Sequence, residues 1–311
     1  MSIEAYIEEL IDPGRALAVS KLTQLSALGP AEAALLATSW PEMELRKRQR
    51  LVQELIDLEE DNIELNFDAI FFLGLADGDA GVRRDSIRGL WENESRDLID
   101  ALTGLLADDH DAGVRAEAAL ALGRFVMHAE FEDVKPAYAE PLDQALRGVF
   151  QDESEAVEVR GRALESLGVR AAPWVRDLIE EAFESPERRL RLSAVHAMGR
   201  SCDESWLPAL VAELKSDDDE MRFEAAGACG AIAGEAAAQH LLRLLEDADH
   251  EVQEAAIAAL GEIGGEVAKA ALMELKESED ERVRDAVAEA LEALAFVDDP
   301  LAFNVSGEAS G

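Results

Sequence analysis

The sequence predicts an all-α protein built from stacked helical hairpins, and three observations carry that prediction. Alanine and leucine dominate a chain of 311 residues that is 48% apolar, only 5% aromatic and contains just 9 prolines. Good helix formers in that proportion argue for helices and against a β-sandwich or barrel. Apolar residues recur with the helical period, and whole blocks recur at a fixed step. Arg160, Arg191, Arg222, Gln253 and Arg284 follow one another at intervals of 31 residues, the mark of an array of small supersecondary units.

Taken in order, 3–11, 15–28 and 31–38 read as helices without the repeat motif and form an amino-terminal helical cap over 1–41. KRQRLVQELI, anchored on Arg48, opens the repeats, which run through 42–297 as about eight copies. Clearer copies begin at Val82, Val114, Val159, Leu190, Met221, Val252 and Val283, with Arg83, Arg115, Arg160, Arg191, Arg222, Gln253 and Arg284 in second place. Relative to that anchor, positions −1, +3, +4 and +7 are apolar, as in Val114, Ala118, Ala119 and Leu122, which is one buried helix face at 3.6 residues per turn. Position +6 is small in each of these seven copies, from Gly89 to Ala290, so neighbouring parallel helices can approach closely.

Helix starts are marked as well. Six residues before the anchors stand Asp77, Asp109, Ser154, Ser185, Ser216, Asp247 and Ser278, and four before them Asp79, Asp111, Ala156, Glu187, Asp218, Asp249 and Asp280. Short oxygen-bearing side chains there are expected to cap helix N-termini, with the acidic residues at −4 also meeting the arginine one turn later. Between the marked helices, 96–107, 172–184, 204–215, 236–246 and 266–277 form second amphipathic stretches. Two helices per repeat make a hairpin that buries its face only by stacking on the next.

The motif D-x-x-x-x-x-V-R-x-x-A-x-x-A-L-G resembles HEAT repeats, especially the short bacterial variety also found in phycobilin lyases, over about Glu42 to Val297. The resemblance implies an α-solenoid that binds other proteins, usually on a concave surface lined by each repeat's second helix. It implies no particular partner, because the shared residues build the solenoid.

Departures from the motif define the rest of the organisation. The step from Arg115 to Arg160 is 45 residues, which places an insertion near 127–141, with two prolines and Tyr138, expected as a loop on one face. Residues 298–311 lack periodicity and are expected as a flexible tail. Basic residues cluster at Arg46, Lys47, Arg48 and Arg50, where they can dock an acidic partner or pair with Glu42, Glu44 and Glu54 on the same helix.

Charge excludes several functions. Lys and Arg total 29 against 67 Asp and Glu, for a net charge of −38, and such a surface repels phosphate backbones and anionic lipid. No nucleic acid or membrane partner is therefore expected. With only six lysines, the composition would suit a high-salt cytoplasm, although an ordinary acidic scaffold looks the same. Two cysteines, Cys202 and Cys229, cannot form a disulfide framework, the acidic amino terminus lacks a signal-peptide pattern, and no apolar run is long enough to span a bilayer. The expected setting is reduced and cytoplasmic.

Chemistry finds little foothold. His110, His128, His196, His240 and His250 lie in different repeats, with no H-x-x-x-H or C-x-x-C spacing, so no metal and no cofactor are expected. The loop group His128, Glu130, Glu132 and Asp133 reads as solvated. HEAT-like deoxyhypusine hydroxylases hold iron with repeated His-Glu pairs; the corresponding positions here read Ala116-Glu117, Phe223-Glu224 and Glu254-Ala255, without imidazole, so that activity is not expected. HEAT-like DNA glycosylases need a basic surface, opposite to this one. Cys229 occupies a core position, and Cys202 lies beside Asp203 and Glu204, which disfavour a thiolate.

Positions +1, +5 and +9 point away from the buried stripe. In the middle repeats they place Leu120, Leu192 and Phe223 beside Arg124, His196 and Arg200, a patch expected to anchor a partner protein or peptide. The expected function is a non-catalytic interaction scaffold that binds a partner protein or peptide on its concave face. The alternative is a lyase-like or chaperone subunit acting on a tetrapyrrole-bearing protein.

Overall fold

In the computed structural model, residues 3–131 and 136–298 are described, and among them every regular element is a helix. In chain order the α-helices are α1 (Ile3–Ile11), α2 (Pro30–Ser39), α3 (Leu45–Asp61), α4 (Asp68–Gly74), α5 (Ala80–Gly89), α6 (Arg96–Asp108), α7 (Ala112–Glu130), α8 (Pro136–Gln151), α9 (Val157–Leu167), α10 (Pro173–Phe183), α11 (Arg188–Arg200), α12 (Leu207–Glu213), α13 (Asp219–Ile232), α14 (Glu235–Leu241), α15 (His250–Ile263), α16 (Gly265–Leu275) and α17 (Glu281–Asp298). The anchors fall on α3, α5, α7, α9, α11, α13, α15 and α17, each preceded by a partner helix, so the fold is an all-α solenoid of hairpins. It divides into two compact units, Met1–Ala163 and Leu164–Gly311.

In the first unit α5 packs between α3 and α7, α4 backs α5, and α6 backs α7. In the second, α11, α13, α15 and α17 stack in series, with α10, α12, α14 and α16 each packed on the anchored helix that follows it. The expected stripe is the core of both: Val82, Ile87 and Leu90 in the first, Val252, Ala256, Ile257 and Leu260 in the second, are all at most 2% exposed. Each such side chain contributes roughly 1.5–3 kcal/mol of burial, less for alanine.

Small residues set the spacing in the second unit. A Cβ added to Gly199 would lie 2.8 Å from the Cα of Ala228, and Gly168, Gly230 and Gly261 stand in the same relation to Ala197, Ala259 and Ala290. The small +6 residue of one copy thus faces the glycine at +8 of the copy before it, and the backbones touch. In the first unit the same +6 position is Gly89, and it makes room for the Phe71 ring instead.

Helix starts follow a different division of labour from the expected one. Where a side chain caps the helix in these copies it is the aspartate at −4: Asp79, Asp111, Asp218 and Asp249 accept the amides of Val82, Val114, Met221 and Val252, whereas Glu187 at the same position makes no such bond. The −6 carboxylate lies one step earlier, accepting the −4 amide, as Asp109 does from Asp111 at 2.9 Å. It also receives the arginine of the preceding copy. Arg83 grips Asp109 with two bonds of 2.7 Å, Arg222 grips Asp247 with two of 2.8 Å, and Arg48 reaches Asp77 at 2.7 Å. Arg115 finds Glu155 beside the serine of the next copy. The anchor therefore passes over the acid of its own first turn and crosses to the next turn, because its second arm is already bonded to its own −6 carbonyl, as from Arg83 to Asp77 and Arg222 to Ser216.

Two further expectations need correction. Residues 15–28 do not form an α-helix: only Val19–Leu25 coils, as a 3₁₀ segment that buries Leu22 and Leu25. Its end is drawn off by bonds to Asn66, whose carbonyl takes the Ala27 amide and whose amide donates to Ser26 Oγ. The insertion is largely helical rather than a loop, since α7 continues to Glu130 and α8 starts at Pro136. Glu132 and Asp133 lie outside the described residues, as do the Tyr138 side chain and the tail after 298.

Candidate functional site

The sequence-derived patch resolves into one cleft in each unit. In the first, Ile56 from α3, Ile87 and Arg88 from α5, Trp91 just beyond it, and Glu117, Leu120, Ala121 and Arg124 from α7 enclose about 660 Å3, with Glu60 at the rim. Trp91 is 55% exposed and Leu120 43%. Trp91 ends up there because α5 stops at Gly89 and the chain turns, leaving the indole outside the stack.

Arg124 lines this cleft but is committed to the fold. Its guanidinium donates to the carbonyls of Leu90, Trp91 and Asn93, closing the open end of α5, and it stacks over the Phe125 ring at 4.7 Å. Burial pulls its pKa down from the ordinary arginine value. Arg88, by contrast, is exposed and paired with Glu117 at 2.7 Å.

In the second unit His196, Gly199 and Arg200 of α11 and Phe223, Glu224, Gly227, Ala228 and Ala231 of α13 line a recess of about 270 Å3. A larger one of about 590 Å3 adjoins it, sharing Phe223, Gly227 and Ala231 and continuing over α15 and α17. Its floor is alanine: Ala255, Ala258, Ala259, Ala286, Ala290 and Ala293, with Glu254, Glu262 and Glu289 among them. Phe223 is 40% exposed and borders both. His196 Nδ1 lies 3.2 Å from the Glu224 carboxylate, while Arg200 is exposed at the recess wall.

Leu192 is not part of the surface. It is 3% exposed, because α11 is buried around most of its circumference: Leu190, Leu192, Ser193, Ala194, Val195, Ala197, Met198 and Gly199 all face neighbours. A single-stripe reading fails on such a helix. Its neighbour Ser193 joins a buried polar cluster in which the hydroxyl donates to Glu165 at 2.8 Å and Arg189 approaches both.

The basic cluster is mostly spent inside the first unit as well. Arg48 holds Asp77, Lys47 donates to the carbonyls of Leu10 and Asp12, and Arg50 pairs with Glu54. Cys229 is fully buried and its thiol pKa is pushed up to about 12 by that burial. Cys202 is exposed, at φ 49° just past α11. Among the described residues no three His, Cys, Asp or Glu side chains are placed to share a metal ion, and no helix is long and apolar enough to cross a membrane.

The stacked hairpins, the arginine ladder and the outward-facing clefts define a helical-repeat protein. A family model described as HEAT repeats matches residues 70–152, 140–220, 175–252 and 207–292. The chain belongs to the HEAT-repeat family. Among curated proteins none matches it. Among solved structures it is similar to the complex of CpcE and CpcF of phycocyanin lyase from Nostoc sp. PCC7120, at 20% identity and TM-score 0.50, covering 91% of this chain and 97% of that one. It is also similar to human deoxyhypusine hydroxylase, at 20% identity and TM-score 0.37 over 89% and 96% of the two chains. A designed armadillo repeat protein matches at 22% identity and TM-score 0.38 over 63% of this chain and 99% of that one. The first of these likenesses shows the fold alone.

Proposed function

We propose that the protein is a non-catalytic interaction scaffold that binds a partner protein or peptide on the face lined by its anchored helices, the second helix of each repeat. The observation that carries this reading is the Trp91–Leu120 cleft. A tryptophan more than half exposed beside an exposed leucine is the composition of an interface anchor, where truncation of a central aromatic typically costs 2 kcal/mol or more of binding, roughly thirtyfold.

The test is affinity capture from the native cell extract with wild-type protein and with the Trp91→Ala/Leu120→Ser variant, using Val267→Ser as a surface control. A partner held by wild type and the control but lost by the double variant supports the reading. Equal capture by all three removes the cleft from the function. The alternative, a lyase-like or chaperone subunit for a tetrapyrrole-bearing protein, rests on the shared fold, and a visible absorbance change on mixing with a bilin is its test.

A further inference from the structure

The second unit's groove differs in chemistry from the Trp91 cleft. Glu254, Glu262 and Glu289 stand among alanines, and no Lys or Arg lines this larger recess or pairs with any of the three among the described residues. Elsewhere in the same unit, some exposed carboxylates are paired: Arg188 with Asp218 and Glu220, Arg176 with Glu180 and Asp203. Glu262 lies with a carboxylate oxygen 2.4 Å from where a Gly230 Cβ would be, so the glycine leaves room for it. Partial desolvation there pushes its pKa up.

The floor has the complementary property. Alanine side chains end at Cβ, so Ala255, Ala258 and Ala286 leave depth for large apolar side chains of something else, and Phe223 closes one end. An apolar floor among unneutralised carboxylates matches a helix that carries leucine-like residues on one stripe and lysine or arginine at its flanks. We propose that this groove binds a basic amphipathic helix of a partner protein, with Glu254, Glu262 and Glu289 taking its cations and the alanine floor taking its apolar stripe. The inference extends the scaffold reading to a second site and fails separately, since nothing in it uses Trp91 or Leu120.

The probe is a fluorescein-labelled Leu/Lys helical peptide of about 18 residues, five turns, titrated by anisotropy against the full chain at about 0.15 M salt, where distant charges are screened. Its controls are a same-composition peptide with the leucines scattered and a Leu/Glu counterpart. The wild type is expected to prefer the amphipathic basic peptide over both. Glu254→Gln/Glu262→Gln/Glu289→Gln should weaken it by about tenfold and Ala258→Arg should abolish it. Glu266→Gln/Glu274→Gln/Glu277→Gln, which removes the same charge from exposed positions outside the groove, should leave it within about twofold. Equal loss in the two triple variants, equal binding of the scattered peptide, or no binding by wild type would each overturn the proposal. Should Ala258→Arg fail to fold by circular dichroism, the paired triple variants still decide.

Discussion

Glu59 is the residue at which stability and pH meet. Its carboxylate accepts the Phe67 amide at 2.6 Å, but burial, reinforced by Asp68 and Glu92, raises its pKa from 4.5 to about 7. Between those values the folded chain holds a proton that the unfolded chain has released, so stability falls as pH rises through that window. The arginine-paired acids behave oppositely: Arg115, Arg188 and Arg222 hold Glu155, Asp218 and Asp247 below the ordinary carboxylate range, and their contribution is lost as pH drops through the lowered values. Glu59→Gln keeps an oxygen for Phe67 and cannot ionise. Thermal melts should show it more stable than wild type at pH 8, by about 2–4 °C per kcal/mol recovered, and indistinguishable at pH 4.5.

At the scale of single helices, the end of α13 carries avoidable strain. Ala233 sits in the left-handed region at φ 53°, ψ 32°, a conformation that costs an L-residue roughly 1–2 kcal/mol. Ala233→Gly should raise the denaturant midpoint with an unchanged slope, for a net gain of about 0.5–1 kcal/mol after glycine's larger unfolded-state entropy. The helices themselves were legible because their cause is local: the anchor, the stripe and the cap recur within each copy. Leu192 was not legible, because its burial depends on how many neighbours surround α11. Trp91 does leave a signal in the sequence: it stands where other copies carry Gly123, Gly168, Gly199, Gly230 and Gly261, and a tryptophan in a backbone-contact position must leave the stack. The Asp or Ser choice at −6 was a similar signal. In the second unit Arg222 crosses to Asp247, whereas Arg191, followed by Ser216, bonds among the described residues only carbonyls of its own turn.

For the chain as a whole, the dominant quantity is the net charge of −38. Local pairs neutralise many of the arginines, leaving the excess carboxylates to repel one another in the folded state. Added sodium chloride should raise the melting temperature most steeply up to about 0.1 M, where the screening length reaches roughly 10 Å. A flat calorimetric response over that range would show that pairing already balances the field.

The ladder also has a consequence for how the molecule breathes. Asp77, Asp109 and Asp247 each hold a backbone amide of the turn with one oxygen while the preceding arginine occupies the carboxylate. Solvent reaches the Asp79, Asp111 and Asp249 amides only when that carboxylate moves, and the carboxylate moves only when the arginine lets go. Exchange of these three protons with deuterium is therefore gated by a side chain of the copy before, so a local opening in one hairpin is recorded in the next.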